Sequence, residues 1–81
     1  MRMVCIDEVE ELYYIPESFA KSSDGALIVD GFGVQNDDCV PYRMRITVRP
    51  VGEAPEIRTI DDLVVFLKEG RYGWKALGEE E

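Results

Sequence analysis

The stretch Asp7-Glu8-Val9-Glu10-Glu11-Leu12-Tyr13-Tyr14-Ile15 decides how this chain divides between helix and sheet. Asp7 followed three positions later by Glu10 has the form of a helix capping box, and Val9, Leu12 and Tyr13 would then share one helical face up to Pro16. Asp7, Glu8, Glu10 and Glu11 would sit near the N-terminus of that helix, where negative charge is favoured. A strand competes, because Tyr13, Tyr14 and Ile15 are good strand formers and Val4 and Ile6 alternate with polar neighbours. The capping signal tips the reading to a short N-terminal helix preceded by a few extended residues.

Beyond it, Ser22-Ser23-Asp24-Gly25 is a turn signal, and Ala26 to Val34 reads as a strand. Ala26, Ile28, Phe32 and Val34 share one parity, interrupted by Asp30. Gly31 and Gly33 hold the other, and mark a bulge or a close approach of backbone. Residues 35–41 form a polar loop. Tyr42 to Val51 is the clearest strand: Tyr42, Met44, Ile46 and Val48 face one way, and Arg43, Arg45, Thr47 and Arg49 the other. Pro50, Gly52 and Pro55 end it, and residues 56–58 supply a third extended segment.

The clearest helix opens at Thr59-Ile60-Asp61-Asp62, with Thr59 as cap and two acids in the first turn. Ile60, Leu63, Val64 and Leu67 follow helical spacing, Phe66 widens the stripe, Lys68 suits the last turn and Gly70 the C-terminal cap. The aromatics of residues 71–77 fold back on the core, and Glu79 to Glu81 form a solvated acidic tail. The expected architecture is α+β: a small antiparallel sheet of about three strands packed against one C-terminal helix, with a short N-terminal helix. Its 81 residues leave room for a single domain.

Seventeen acidic residues against nine basic ones give a net charge of −8. That charge repels a phosphate backbone, which argues against direct nucleic-acid binding. It serves solubility, or complements a basic partner. The longest apolar run, Leu63 to Leu67, is too short to cross a membrane, and the first residues lack the pattern of a secretory signal. The expected setting is the cytoplasm, with no membrane partner.

No pattern of residues points to chemistry. There is no histidine, and Cys5 and Cys39 form no Cys-x-x-Cys pair, so structural zinc lacks its usual ligands. The two cysteines are buried small hydrophobes or a disulfide; their spacing leaves both open. Gly31-Phe32-Gly33 lacks the third glycine, the following helix and the later acid of a dinucleotide loop. Asp30, Asp37 and Asp38 lack the spacing of a calcium loop, and a polar hairpin explains them more simply. No Ser, Cys or Thr stands in a recognisable arrangement with a base, and no one carboxylate pair is singled out among so many acids. The expectation is a protein that is not an enzyme and has no cofactor or metal.

Two features remain. Arg43, Arg45 and Arg49 make a cationic row on one strand face, which either neighbouring carboxylates neutralise or a partner meets. Tyr13, Tyr14, Tyr72 and Trp74 partly complete the core; Tyr13 and Tyr14 cannot both point inward in a regular strand, so one is a rim anchor.

In its size, its acidic cluster Asp7 to Glu11, its Glu79 to Glu81 tail and its strand-plus-helix layout, the chain resembles small acidic phage and mobile-element inhibitors of the anti-CRISPR type. The resemblance implies stoichiometric inhibition, with carboxylates presented in place of phosphates to a basic nucleic-acid channel. The leading expectation is therefore a non-enzymatic protein-binding domain that docks on another protein, such as a basic nucleic-acid-handling complex. Asp7, Glu8, Glu10, Glu11, Tyr14, Arg43, Arg45, Arg49 and Trp74 are its candidate partner-binding residues. The alternatives are a structural or regulatory subunit, including a homodimer paired through a strand edge, and a small enzyme or ligand-binding domain.

Overall fold

The computed structural model describes residues 2–35, 40–53 and 55–77. They form five strands and one helix: β1 (Val4–Asp7), β2 (Leu12–Lys21), β3 (Leu27–Gln35), β4 (Tyr42–Pro50), α1 (Ile60–Glu69) and β5 (Tyr72–Ala76). The strands make one antiparallel sheet in chain order, β1-β2-β3-β4-β5, curled into a half-barrel. This corrects the expected sheet of about three strands packed on a C-terminal helix. Residues 7–15 hold no helix, residues 56–58 add no strand, and residues 72–76 pair with β4 as a fifth strand.

The first correction has a simple cause. Asp7 Oδ1 accepts hydrogen bonds from the backbone N–H groups of Val9 and Glu10, at 3.1 and 3.2 Å. An N-cap makes the same kind of bonds, so the local chemistry of Asp7 serves a turn as readily as a helix. Glu11, at φ 55°, then takes a left-handed backbone conformation that breaks any helical path. Leu12 onward pairs back on β1, with Val4 opposite Tyr14 and Cys5 opposite Tyr13. Val9, expected on an apolar helix face, is 89% exposed at the tip of this hairpin.

Pro16 does not stop the element either. It lies buried within β2, where the register with β3 shifts between Pro16 and Ser18, and such bulges are where a sheet tolerates proline. Gly31 faces Pro16 there; a Cβ at Gly31 would overlap the Ile15 carbonyl and come within 3.0 Å of Pro16 Cα. That is the close backbone approach expected at this glycine.

β4 buries Met44, Ile46 and Val48 and exposes Arg43, Arg45 and Arg49, as its alternation predicts. In β3 the inward parity is Leu27, Val29, Gly31 and Gly33, so Ile28, Phe32 and Val34 lie on the outer face, half-buried. Helix α1 covers the inner face with Leu63, Val64, Phe66 and Leu67, against β1 and β2. Its capping box is complete: Thr59 Oγ1 accepts from Asp62 N at 3.1 Å, and Asp62 Oδ2 accepts from Thr59 N at 3.2 Å. Gly70, at φ 78°, ends it. Among the described residues no helix is long and apolar enough to cross a membrane.

Candidate functional site

The outer face of the sheet is the side that α1 leaves uncovered, and its composition follows from the register. Successive rows across the strands read Cys5–Tyr13–Val34, Ile15–Phe32–Arg43, Ser18–Asp30–Arg45 and Ala20–Ile28–Thr47–Lys75. The β2–β3 part is therefore apolar and aromatic, and the β4–β5 part cationic. Tyr13, Ile15, Phe32 and Val34 are half-buried, shielded by one another and still open to solvent. The guanidinium of Arg43 lies 4.7 Å from the centre of the Phe32 ring, where cation and π face attract.

The other two arginines have carboxylate partners. Arg45 Nε donates to Asp30 Oδ1 at 2.8 Å, directly across the β3–β4 pair. Arg49 Nη2 donates to Asp24 Oδ2 at 2.7 Å, in the turn before β3. Asp24 also accepts from the Ser22 hydroxyl. The Ser22 hydrogen bond first, and Arg49 after it, hold the Asp24 carboxyl well below the usual range for aspartate. Neighbouring carboxylates, one of the two readings open for the row, thus neutralise Arg45 and Arg49, while Arg43 stacks on an aromatic ring.

Tyr14, a candidate partner-binding residue, is fully buried. Its hydroxyl reaches Met44 O at 2.7 Å and Val29 O at 3.1 Å beneath the sheet. Burial, with a smaller contribution from Asp30, raises its pKa far above that of an ordinary phenol. Tyr14 is a core residue, and Tyr13 is the member of the pair that faces out. Trp74 is half-buried on the inner side of β5, and its indole N–H donates to Ile6 O at 2.9 Å. Both aromatics turn inward because the antiparallel register, absent from any local pattern, assigns their faces.

The acidic candidates gather in the β1–β2 turn. Asp7 is half-buried and engaged by the turn's own backbone, whereas Glu8, Glu10 and Glu11 are exposed. The outer face and this turn are separate surfaces, so the structure does not bring all the candidates into one site. Phe32, Ile15 and Val34 were not among them. For Phe32 and Val34 the signal was present in Asp30, which shares their parity in the strand and marks it as the solvated one. Asp37, Asp38, Cys39 and Glu79 to Glu81 lie outside the described residues. Cys5 is half-buried with a free thiol, and among the described residues no group of three metal-ligating side chains comes together. Protein-family models, curated proteins and solved structures offer no match to this chain.

Proposed function

We propose that this chain is a non-enzymatic protein-binding domain that docks through the outer face of its sheet. The observation that carries this reading is the contiguous set Tyr13, Ile15, Phe32 and Val34, half-exposed on a face that α1 does not cover, with Arg43 stacked at its margin. Aromatic side chains and arginine are enriched at the energetic centres of protein interfaces. Tyr and Phe also bring large contact areas at low cost in side-chain entropy.

The exposed Glu8 and Glu10 in a turn held by Asp7 favour a second reading, in which the chain inhibits a basic nucleic-acid-handling complex by presenting carboxylates in place of phosphates. One experiment separates the two. A partner captured from the native host is measured against Phe32→Ser and against the double variant Glu8→Lys with Glu10→Lys. Loss of affinity in Phe32→Ser alone supports docking through the outer face. Loss confined to the charge-reversed pair, with a flattened salt dependence, transfers the interface to the acidic turn.

A further inference from the structure

Among the described residues strand β5 is an edge, paired with β4 on one side only. Val51 N donates to Arg71 O at 2.9 Å, and Leu77 N donates to Arg45 O at 2.8 Å. In an antiparallel ladder the pairs alternate, so Arg71, Gly73, Lys75 and Leu77 turn their backbone groups to β4. The N–H and C=O groups of Tyr72, Trp74 and Ala76 then point away from β4, along the open edge. The opposite edge is blunted: β1 has four residues, an irregular register, and its Ile6 carbonyl already accepts from Trp74.

Gly73 sits in the middle of this edge, and nothing among the described residues demands a glycine there. Its φ lies outside the left-handed region, and a Cβ would meet no atom within 4 Å. By contrast, Gly25, Gly52 and Gly70 have positive φ, while a Cβ at Gly31 or Gly33 would collide with Ile15 or Met44. Gly73 lines a depression of about 500 Å³ together with Thr47, Arg49, Trp74 and Lys75. Arg49 lies directly across β4 from Gly73, and Lys75 stands two residues along the same face. Among the described residues no carboxylate forms an ion pair with Lys75, whereas Arg49 shares its charge with Asp24 in an exposed contact.

We infer that the open edge of β5 accepts an extended segment of a partner protein as a sixth strand, and that this segment places an acidic side chain opposite Gly73. Backbone pairing with Tyr72, Trp74 and Ala76 supplies the attraction of strand addition, and side chains on alternate positions supply the choice of partner. With no Cβ at Gly73, the incoming carboxylate leans across the strand toward Arg49 and Lys75. A second copy of this chain fits the same edge less well. Antiparallel self-pairing centred on Trp74 sets Lys75 of one copy opposite Gly73 of the other, beside Arg49, and brings like charges together. This inference rests on the reading of the chain as a protein-binding domain, and adds a contact along the β5 edge to the one across the Phe32 face.

The test uses the full chain, isotopically labelled, and two short synthetic peptides: alternating threonine and glutamate, and alternating threonine and lysine. Hydrogen exchange should slow at the Tyr72, Trp74 and Ala76 amides with the glutamate peptide and not with the lysine peptide. Gly73→Val, whose new side chain has open space in the free protein, should weaken that binding about tenfold. Phe32→Ser should leave the protection intact, so failure of the outer-face reading and failure of this one are distinguishable. The inference is overturned if the glutamate peptide protects none of the three amides, or if the lysine peptide protects them equally. It is also overturned if the amides are already protected in a peptide-free dimer, which would make a second copy the occupant.

Discussion

Trp74 donates its indole N–H to the carbonyl of Ile6 at 2.9 Å, a bond between the two edge strands of the sheet across 68 residues of sequence. It pins β5 to β1 over the inner face, where the tilted contact of Phe66 with Tyr72, 5.7 Å between ring centres, ties β5 to α1 as well. These contacts hold the sheet curled around the helix.

Trp74→Phe keeps most of the apolar contact and removes the donor. The expected loss is about 1 kcal/mol, the usual net value of one hydrogen bond. Urea denaturation followed by circular dichroism measures it, since Trp74 is the chain's single tryptophan and its fluorescence goes with it. An unchanged midpoint would show that the indole bond is replaced by water without loss.

Tyr14→Phe should cost more, about 2 kcal/mol, because it strips a buried hydroxyl from the carbonyls of Met44 and Val29 and leaves an unfilled polar gap. The same denaturation series checks it, with Tyr13→Phe as the outward-facing control that should change little.

Alkaline pH should destabilise the fold. Burial raises the pKa of Tyr14 far above the phenol range and pushes that of Tyr72 up to about 12. The folded state therefore keeps protons that the unfolded chain has already released. Stability is full below the unfolded value of about 10 and falls as pH rises through the folded values. Thermal melts across that window should show the decline, and Tyr72→Phe should make it shallower.

Gly31→Ala and Gly33→Ala should differ sharply, although the residues are two apart in one strand. At Gly31 a methyl meets the fixed backbone of Ile15 and Pro16, and a loss of about 3 kcal/mol is expected. At Gly33 it meets Met44 Sδ at 2.8 Å and the Tyr42 ring at 3.0 Å, side chains that can shift, so the loss should be about 1 kcal/mol. Equal losses would refute the bulge as the reason for Gly31.

Helix α1 should respond to its cap and to acid. Thr59→Ala is expected to cost about 1 kcal/mol. The backbone N–H groups of Arg58 and then Thr59 hold the Asp62 carboxyl below its ordinary range. A depressed carboxylate stabilises above its unfolded pKa, about 4 for aspartate, and that contribution fades as pH falls through the folded value. In Asp62→Asn the acid limb of the stability profile should be correspondingly flatter.

Sequence by itself determined the elements whose instructions are local. The alternation of Met44, Ile46 and Val48 with arginines defines β4, and the Thr59 cap, the 60–67 stripe and Gly70 define α1, because the contacts that form them lie within a few residues. Tertiary structure alone decided the rest. Asp7 offers the same hydrogen bonds to a turn and to a helix, so the pairing of Leu12–Lys21 with two other strands settled its fate. Tyr72–Ala76 became a strand because β4 had an edge to fill. The inward face of β3, and with it the outward face that carries Phe32, was set by register across neighbouring strands. Such pairings join residues far apart in the chain, and their energy exists only once both partners are in place.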